Sequence, residues 1–551
     1  MGKVARYTEH LINQYVSKGY WTYDLTVDFW ERNAKSHPRE EALVDSRSRF
    51  TWEEAVAAIN RLASFFVRIG LEKDDILILQ LYNSATLTLC RLAAEKAGVL
   101  LLVLPYTFRT REIEAILRSV SVRGVIIPYE FRGHNYYEMY RGLERKSFKF
   151  DYLFVVGEKV PDGTISLDEI IFSSGSPVGQ DILGSRKFGP FEFQEIMTTS
   201  GTTGVPKLVE WTGCARLYQA RCYIEGLCLT RNDVIAAFAP SIGGATECVA
   251  HRAAPQVAAK IVMLERFDPR QACELIERER VTVACCVPTM VIRLIEYQDL
   301  KKHNLSSLRV LLSSTALLPY SVAKMAETEL GCAVCQGYGS VDSGAITMSR
   351  LDDPPEARWS TVGKPFPGVD VRLVDPNGNN VPHGEVGRVI VRGPTSVGGY
   401  YKDEEETRKA WQNGYFMMGD LALLDNEGRL KLVGRESDVI IRGGQNIYPK
   451  EIEDLLIQHE KVADVAVVRM PDKELGEKAC AFVVLRAGAT LTFEEMVAYL
   501  KEKGVAVFKI PERLEIIDTL PLTPAGNKVN RRALEDLITK KLLTDQKIDE
   551  T

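Results

Sequence analysis

Apolar residues in the first 360 positions alternate between helical and strand-like spacing. After Phe50, apolar side chains recur every three or four positions from Ala58 to Phe66, which predicts an amphipathic helix. A second helix is predicted over residues 87–97. Short apolar runs between polar segments predict buried strands at residues 76–81, 99–104, 125–128, 152–156 and 281–287. Alternating strands and helices of this kind favour parallel sheets covered on both faces.

After residue 360 the pattern becomes typical of antiparallel structure. Residues 369–373 alternate between apolar and polar, residues 375–378 carry turn-forming residues, and residues 389–391 predict a further strand. Residues 421–424 and 430–432 flank a second turn and predict a hairpin. We therefore predict an antiparallel, barrel-like β subdomain in this part of the chain.

A smaller α/β unit is predicted after Arg435. A helix over residues 449–459 has a proline at its start and acidic residues in its early turns, which favours the helix dipole. Its apolar face contains Ile452, Leu455, Leu456 and His459. We place the domain boundary after Glu436, which gives a large domain of residues 1–436 and a small domain of residues 437–551.

Residues 198–207 form a polar segment that is suited to bind a polyphosphate. Two glycines, five hydroxyl side chains and one lysine stand within ten residues, so backbone N–H groups, hydroxyls and a positive charge can all reach phosphate oxygens. The spacing differs from a Walker loop, because only two residues separate Gly201 from Gly204 and Lys207 comes later. A flexible linker is disfavoured, since an apolar, strand-like segment begins at Leu208. We predict a nucleotide phosphate loop.

Composition excludes several other classes of function. The chain has 551 residues, 45% hydrophobic and 26% charged, with a net charge of −5 and no basic block that would bind nucleic acid. Its longest apolar run, residues 99–104, is too short to span a membrane, and its N-terminus has no apolar signal core. Eleven cysteines lack paired spacing, apart from a lone CxxC at Cys332 and Cys335. We therefore expect a cytoplasmic protein with reduced thiols and no membrane or nucleic-acid partner.

The phosphate-loop segment TTSGTTGVPK resembles the signature of the adenylate-forming superfamily, which includes acyl-CoA synthetases and aryl-acid–AMP ligases. Further segments similar to the family's motifs follow in the family's order, at residues 336–339, 419–420, 434–438, 442–453 and 521–531. The resemblance implies an α/β fold with two covered β-sheets and the barrel-like subdomain in a large N-terminal domain, followed by a small mobile α+β C-terminal domain. It also implies ATP-dependent, AMP- and pyrophosphate-forming activation of a carboxylic acid.

The resemblance also implies roles for individual residues in the first half-reaction. The residues expected to bind the nucleotide are Thr199, Ser200, Gly201, Thr202, Thr203, Gly204, Lys207, Ser314, Thr315, Gly337, Tyr338, Gly339, Asp420 and Arg435. Tyr338 would stack on adenine, Asp420 would bind the ribose hydroxyls, and Asp342 would ligate Mg²⁺. Lys528 is the expected catalytic residue, since an ammonium group would neutralise charge between the carboxylate and the α-phosphate.

For the second half-reaction, the resemblance implies that a thiol reaches the acyl-adenylate along Gly443 and Gly444. Ser437 would be the hinge about which the small domain rotates. The acyl pocket would be formed by Phe238, Gly243, Gly244 and Gly337. Because relatives often have an aromatic residue or histidine at the place of Gly243, we expect extra room beside the carboxylate.

Some residues depart from the family's pattern. Val341 replaces a threonine, Asp342 replaces a glutamate, and Asn527 separates Gly526 from Lys528, which are adjacent in most relatives. Three functions therefore remain open: an acid–CoA ligase, an adenylating enzyme that loads a separate carrier protein, and a catalytically impaired regulatory protein.

The acid itself is indicated only weakly by the sequence. Residues 19–29 resemble the opening of 2,3-dihydroxybenzoate–AMP ligases and cyclohexanecarboxylate–CoA ligases, which favours a cyclic (aryl or alicyclic) or medium-chain acid. No carrier domain follows residue 551, so we expect the thiol to be a separate molecule, with CoA favoured. The expected small molecules are ATP or AMP, Mg²⁺ and coenzyme A, and the protein could be a monomer or a homodimer.

Overall fold

The structure is a computed structural model that describes residue 4 and residues 6–173, 180–199, 206–523 and 528–549, with the backbone alone for residues 180–182 and 543–549. The chain forms two compact units. The first contains residues up to Leu318, Val322–Asp370 and Val391–Phe416, and the second contains Pro319–Ser321, Val371–Ile390 and residues from Met417 onward. Within the described residues, no helix has the length and apolar character needed to cross a membrane.

The described strands, numbered in chain order, are short and mostly buried. Those up to residue 263 are β1 Glu41–Val44, β2 Arg49–Thr51, β3 Ile76–Leu79, β4 Leu100–Val103, β5 Gly124–Pro128, β6 Glu130–Phe131, β7 His134–Asn135, β8 Tyr152–Val156, β9 Ile165–Ser166, β10 Phe193–Thr198, β11 Leu208–Thr212, β12 Val234–Ala237 and β13 Lys260–Met263. The later ones are β14 Val283–Cys286, β15 Val310–Ser313, β16 Ala333–Ser340, β17 Gly344–Met348, β18 Lys364–Pro365, β19 Asp370–Val374, β20 Gly387–Arg392, β21 Gly399–Tyr400, β22 Trp411–Gln412, β23 Tyr415–Leu424, β24 Leu430–Arg435, β25 Ile440–Arg442, β26 Gln445–Ile447, β27 Val462–Asp472, β28 Gly476–Leu485 and β29 Arg513–Ile516.

The described helices connect these strands. In chain order they are α1 Glu9–Ser17, α2 Thr26–Ser36, α3 Trp52–Arg68, α4 Ala85–Ala97, α5 Thr110–Leu117, α6 Tyr136–Arg145, α7 Leu167–Phe172, α8 Gln180–Arg186, α9 Gly213–Leu227, α10 Gly244–Glu247, α11 Ala254–Gln256, α12 Pro269–Glu279, α13 Pro288–Ile295, α14 Tyr320–Leu330, α15 Pro355–Ser360, α16 Glu404–Ala410, α17 Pro449–Leu456, α18 Phe493–Glu502 and α19 Arg531–Asp549. Cys248–Ala253, between α10 and α11, is π-helical, and Leu300–Lys302, Glu436–Asp438 and Val507–Lys509 are 3₁₀-helical.

The first unit contains the two large sheets. One has nine strands in the order β18-β17-β16-β15-β14-β12-β13-β1-β2, and the other has eight in the order β21-β11-β10-β4-β3-β5-β8-β9. The inner strands pair in parallel, while β17, β18 and β2 of the first sheet and β11 and β21 of the second pair antiparallel. The predicted parallel sheets are confirmed.

Helix α3 illustrates how local sequence sets these elements. Thr51 caps it by accepting a hydrogen bond from Glu54 N, and the Glu54 carboxylate accepts one from Thr51 N in return. The apolar positions Ala58, Ile59, Leu62, Ala63 and Phe66 are all fully buried. The helix predicted from their spacing is therefore confirmed.

A five-stranded sheet has the order β19-β20-β23-β22, with β24 paired to β23. The hairpin predicted around residues 425–428 is observed as β23 and β24, which pair antiparallel. In the structure this hairpin is longer than predicted, since β23 extends back to Tyr415 and β24 extends on to Arg435.

The C-terminal part of the second unit is built on the sheet β26-β25-β28-β27, with β29 paired to β28. Alternate side chains of β27 face two separate cores. Val465 and Val467 pack in the core that includes Leu456 of α17, whereas Ala466 and Val468 pack in the core that includes Leu534 of α19.

The prediction of a helix over residues 449–459 was wrong at its C-terminal end. The α-helical bonding ends at Leu456, and His459 N donates instead to Leu456 O at 3.0 Å, a three-residue step that forms a turn. His459 therefore lies outside the helix. Its ring contacts Tyr499, with the centroids 4.7 Å apart.

Candidate active site

Three predicted site segments begin where parallel-paired strands of the first unit end. The phosphate loop follows β10 after Thr198. The acyl segment, residues 238–244, follows β12, and the adenine segment, residues 314–318, follows β15. Ligands of open α/β sheets bind outside the carboxyl ends of the strands. The acyl and adenine segments therefore leave the same edge of the nine-stranded sheet, and the phosphate loop leaves the carboxyl end of a strand in the eight-stranded sheet.

The phosphate loop connects the antiparallel strands β10 and β11. Thr199 N donates to Lys207 O at 3.0 Å, and Lys207 N donates to the Thr199 hydroxyl at 3.1 Å. These two bonds close the base of the loop. The predicted phosphate-binding residues at its tip lie outside the described residues: Ser200, Gly201, Thr202, Thr203 and Gly204.

Lys207 belongs to a cluster of polar side chains that sequence reasoning found only in part. Its Nζ lies 2.9 Å from Glu406 Oε2 and 4.6 Å from the centroid of the Tyr400 ring. The Tyr400 hydroxyl is hydrogen-bonded to Asp342; burial, and then the charge of this carboxylate, raise the pKa of Tyr400. The phosphate-loop lysine and the predicted metal ligand therefore both contact one tyrosine.

Glu406 and Tyr400 were missed by the sequence analysis, although the segment around them carries a signal. Tyr400 follows two glycines, and Glu406 lies in a run of acidic residues that begins α16. The hydrogen bond from Lys207 lowers the pKa of Glu406, so the two form an ion pair at neutral pH.

The adenine segment is held by a buried glutamine. Gln336 Oε1 accepts from Leu318 N at 3.0 Å, and its Nε2 donates to Arg358 O at 3.1 Å. Within the segment, Ser314 is buried and Thr315 has a φ of +75°. A β-branched residue in the left-handed region is strained by about 1–3 kcal/mol, and such strain clusters at binding sites.

Residues 337–339 lie in strand β16 at the same edge. A Cβ atom on Gly337 would lie 3.0 Å from the Tyr223 hydroxyl, and one on Gly339 would lie 2.3 Å from Gly344 O. Glycine is therefore required at position 339 by close packing against backbone, whereas a side chain at position 337 would require Tyr223 to shift. Tyr338 between them is half-buried and stands opposite Thr347.

The acyl segment lies beside the adenine segment. Phe238 is buried, and a Cβ atom on Gly244, whose φ is +70°, would lie 3.9 Å from Thr315 Cγ2. At Gly243, however, a Cβ atom would lie only 2.7 Å from Met197 Cε. The extra room expected beside Gly243 is therefore partly filled, because the flexible methionine side chain occupies it.

Asp420 and Arg435 are cross-strand neighbours in the second unit. They face each other on β23 and β24, and Arg435 Nε lies 3.3 Å from Asp420 Oδ1. The side chain of Asp420 is 14% exposed and that of Arg435 is 47% exposed. The arginine thus holds a mostly buried carboxylate in a defined orientation.

Gly443 and Gly444 form the two-residue turn of the hairpin β25–β26. Arg442 and Gln445 pair across the turn, and the φ angles of the two glycines are +54° and +84°. Positive φ at both central positions is typical of a type I′ turn, which favours glycine. A Cβ atom on Gly443 would lie 3.1 Å from Leu475 Cδ2, whereas one on Gly444 would meet no described atom within 4 Å. Gly444 therefore faces open space.

Ser437 and Lys528 are held by their backbones. Ser437 O accepts a hydrogen bond from the Arg469 guanidinium, and its hydroxyl donates to Asp438 at 2.8 Å. Lys528 O accepts from Thr523 N at 2.8 Å at the base of a loop whose tip, with Asn527, lies outside the described residues.

The chain is similar to known proteins over most of its length. A family model described as AMP-binding enzyme matches residues 30–401, and one described as AMP-binding enzyme C-terminal domain matches residues 451–527. The chain is 31% identical over 536 residues to the medium-chain fatty-acid–CoA ligase of Escherichia coli K12, covering 96% of this chain and 93% of that protein. It is 29% identical over 546 residues to the 2,3-dihydroxybenzoate-AMP ligase of Bacillus subtilis 168, covering 97% of each.

Among solved structures, the anthranilate CoA ligase AuaEII in complex with anthranoyl-AMP has a TM-score of 0.84 with this chain. The match covers 94% of this chain and 98% of that one, at 24% identity, and confirms the predicted fold class. The predicted superfamily, its enzymatic character and its binding of ATP or AMP are confirmed by the family models and the relatives. The protein belongs to the family of AMP-binding enzymes that activate carboxylic acids.

Proposed function

We propose that the protein is an ATP-dependent carboxylic acid–CoA ligase that acts on a cyclic or medium-chain acid through an acyl-adenylate. The observation that carries this proposal is that the acyl and adenine segments lie side by side, since a Cβ atom added to Gly244 would lie 3.9 Å from Thr315 Cγ2. Forming an acyl-adenylate requires the acid's carboxylate to lie beside the nucleotide's α-phosphate. A site in which these two segments lie side by side meets that requirement.

The first half-reaction joins two anions, so it depends on positive charge more than on a general base. The carboxylate oxygen attacks the α-phosphorus, and the bond to pyrophosphate breaks. Lys207 would bind the departing phosphates, exchanging its ion pair with Glu406 for them. Lys528 would neutralise the charge that builds between the carboxylate and the α-phosphate, and Asp420 would hold the ribose.

The residues fit Mg²⁺ held mainly by the substrate. Within the described part of the chain, no three His, Cys, Asp or Glu side chains are grouped as a metal site. Asp342 supplies one carboxylate close to Lys207, and Mg²⁺ is commonly bound by one or two carboxylates together with substrate phosphates. The ion would supply charge neutralisation of the phosphates.

The second half-reaction transfers the acyl group to a thiol, releasing AMP. We assign Gly443 and Gly444 to the path of the thiol, because Gly444 faces open space. Ser437 would be the hinge, with the domain boundary after Glu436. The Arg469 guanidinium that binds Ser437 O would then anchor one end of the rotating segment.

The relatives support both a CoA acceptor and an alternative. One is a medium-chain fatty-acid–CoA ligase, which favours CoA and an aliphatic acid. Another is a 2,3-dihydroxybenzoate-AMP ligase, which favours an aryl acid and keeps open the loading of a separate carrier protein. The cytoplasm remains the predicted location.

A panel of acids assayed in two stages tests this proposal. The panel contains acetate, octanoate, benzoate, 2,3-dihydroxybenzoate, anthranilate and cyclohexanecarboxylate, each first assayed for acid-dependent exchange of pyrophosphate into ATP. We expect exchange with cyclic or medium-chain acids, and a CoA thioester when CoA is added. Exchange without a CoA thioester would favour the carrier-loading alternative, and no exchange with any acid would favour the impaired regulatory protein.

Asp420→Ala tests the ribose assignment. We expect the KM for ATP to rise about tenfold or more, because a charged hydrogen bond contributes roughly 1.5–3 kcal/mol, while the KM for the acid stays unchanged. The matched measurement uses 2′-deoxy-ATP. The wild type should bind 2′-deoxy-ATP more weakly than ATP. The variant should bind the two nucleotides equally, since the partner of the 2′-hydroxyl is already gone. If both proteins prefer ATP over 2′-deoxy-ATP by the same factor, Asp420 does not bind the ribose.

Gly444→Leu tests the path of the thiol. We expect pyrophosphate exchange to survive and thioester formation to fall by about tenfold or more, because the side chain would fill open space that the thiol crosses. Gly504→Leu is the matched control: its φ of +77° and its open surroundings resemble those of Gly444, so it carries similar backbone strain. Equal loss of both half-reactions in Gly444→Leu would contradict the assignment.

A further inference from the structure

A group of six buried charged residues lies behind the acyl segment. It consists of three arginines and three glutamates whose side chains are each 2–5% exposed: Arg91, Arg216, Arg252, Glu95, Glu195 and Glu247. We call this group the charge cluster. Its members come from α4, α9, β10, α10 and the π-helical segment Cys248–Ala253, and no sequence pattern predicted them.

Two glutamates at the centre of the charge cluster contact all three arginines. Glu247 lies 2.6 Å from Arg216, 2.8 Å from Arg252 and 3.3 Å from Arg91. Glu195 lies 3.0 Å from Arg252 and 3.5 Å from Arg91, and it also pairs with Arg216.

The charge cluster contains equal numbers of basic and acidic side chains. Burial alone would raise the pKa of Glu195, but the three arginines hold it below its usual value, so this carboxylate is ionised. Burial raises the pKa of Glu95 despite Arg252, which lies 3.4 Å away. Buried ion pairs are costly to desolvate and are often no more stabilising than apolar packing. Stability alone is therefore a poor explanation for this cluster.

Arg91 connects the charge cluster to the acyl segment. Its Nη1 donates to Ser241 O at 3.1 Å, and its Nη2 donates to Ile242 O at 2.7 Å. Gly243 and Gly244 follow directly. The two carboxylates that Arg91 contacts hold its planar guanidinium so that both donors point at the backbone just before the glycines.

Asn83 holds the same segment from the neighbouring sheet. Its Oδ1 accepts from Ser241 N at 2.8 Å and from the Ser241 hydroxyl at 2.9 Å. Its Nδ2 donates to Ala237 O at 3.0 Å and to Ala239 O at 2.9 Å. Together with Arg91, this side chain fixes the backbone from the end of β12 to Ile242.

Two further members of the charge cluster lie on elements that adjoin the glycines. Glu247 is the last residue of α10, the short helix that begins at Gly244. Glu195 lies two residues before Met197 on β10, so the two side chains share a face of the strand, and Met197 Cε covers Gly243. Arg91 thus contacts the acyl segment directly, while Glu247 and Glu195 are linked to it through α10 and through Met197.

We propose that the charge cluster positions residues 241–244 of the acyl segment and so sets the enzyme's selectivity among acids, with Arg91 as the positioning residue. This inference rests on the proposed function, because it needs residues 241–244 to line the acyl pocket. The guanidinium does not touch substrate. It fixes the backbone against which the acid packs, and a displacement of about 1 Å at such a place can cost a hundredfold in rate.

Arg91→Lys is the test, since it keeps the charge but cannot donate in two directions from one planar group. We expect the KM for the preferred acid to rise about tenfold or more, with the KM for ATP changed less than twofold. Arg309→Lys is the matched control. Arg309 also pairs with a carboxylate, that of Asp233 at 2.8 Å, and donates to Leu227 O at 2.8 Å, but it does not contact the acyl segment.

Ser241→Ala is a milder second variant that removes only the hydroxyl's bond to Asn83. We expect it to shift the ratio of kcat/KM between a cyclic and a short acid in the same direction as Arg91→Lys, though less. Amide hydrogen exchange supplies a readout independent of activity. The backbone amides of residues 241–247 should exchange faster than in the wild type in Arg91→Lys, and at the wild-type rate in Arg309→Lys.

The outcomes distinguish this inference from the proposed function. Absence of acid-dependent exchange in the wild type would overturn the proposed function. Normal wild-type activity combined with equal effects of Arg91→Lys and Arg309→Lys on the acid KM would overturn the positioning role alone. If Arg91→Lys does not fold, an unchanged ratio of kcat/KM between a cyclic and a short acid in Ser241→Ala overturns the inference.

Discussion

Lys528→Ala should slow formation of the acyl-adenylate by about a hundredfold or more, because it removes a group that stabilises charge at the reacting atoms. The loop should keep its shape, since its base is closed by backbone groups. Thr523 N donates to Lys528 O at 2.8 Å, and Leu522 and Val529 form an isolated β-bridge. The loss should therefore appear in kcat for pyrophosphate exchange and not in protein stability.

The measurement compares the two half-reactions in one variant. Thioester formation from chemically supplied acyl-adenylate and CoA should stay within about threefold of wild type, because the charge on Lys528 is needed only before pyrophosphate leaves. Lys501→Ala, an exposed lysine in the last turn of α18, serves as the control and should leave both half-reactions unchanged. Adenylate formation at wild-type speed in Lys528→Ala would show that Asn527 shifts the lysine out of its expected role.

Gly243→Phe should reduce the kcat/KM for a cyclic acid relative to a short acid by about ten- to a hundredfold, since overpacking a formed site costs roughly 1–3 kcal/mol. The structure sharpens this expectation. A Cβ atom at this position would already lie 2.7 Å from Met197 Cε, so the new ring must displace Met197 or enter the acyl pocket.

Adding Met197→Ala to Gly243→Phe should restore part of the kcat/KM for the cyclic acid relative to the short acid, because it vacates the space beside residue 243. The four proteins of the double-mutant cycle are compared by kcat/KM for cyclohexanecarboxylate and for propionate. An unchanged ratio in Gly243→Phe would show that this residue does not line the acyl pocket. Strictly additive effects would show that residues 197 and 243 do not share that space.

Elements with a strong spacing signal were predicted well from the sequence. Strand β8 was predicted with its observed ends, and the helix predicted over residues 87–97 begins two residues earlier in the structure, at Ala85 of α4. The helix predicted over residues 449–459 was too long, because apolar spacing continues to His459 while the backbone turns after Leu456. Spacing reports which face is buried and does not report where the hydrogen-bonding pattern changes.

The candidate site could be predicted only where its residues stand in compact motifs. Lys207 and Asp342 were predicted separately, but their shared contact with Tyr400 depends on the pairing of β21 with β11. Arg91 and Glu195 in isolation look like ordinary charged residues of a helix and a strand. Their burial and mutual contacts arise only when the two sheets pack, which no local pattern encodes.

The central claim is that a carboxylate of the substrate attacks the α-phosphorus of ATP, and an isotope measurement tests it most directly. The enzyme is incubated with ATP, Mg²⁺, CoA and an accepted acid whose carboxylate oxygens are both ¹⁸O, and the products are analysed by mass spectrometry. The account predicts one ¹⁸O atom in each AMP released, because the bridging oxygen of the acyl-adenylate stays with phosphorus when the thiol displaces AMP. Label in inorganic phosphate with formation of ADP, or AMP without label, would contradict it.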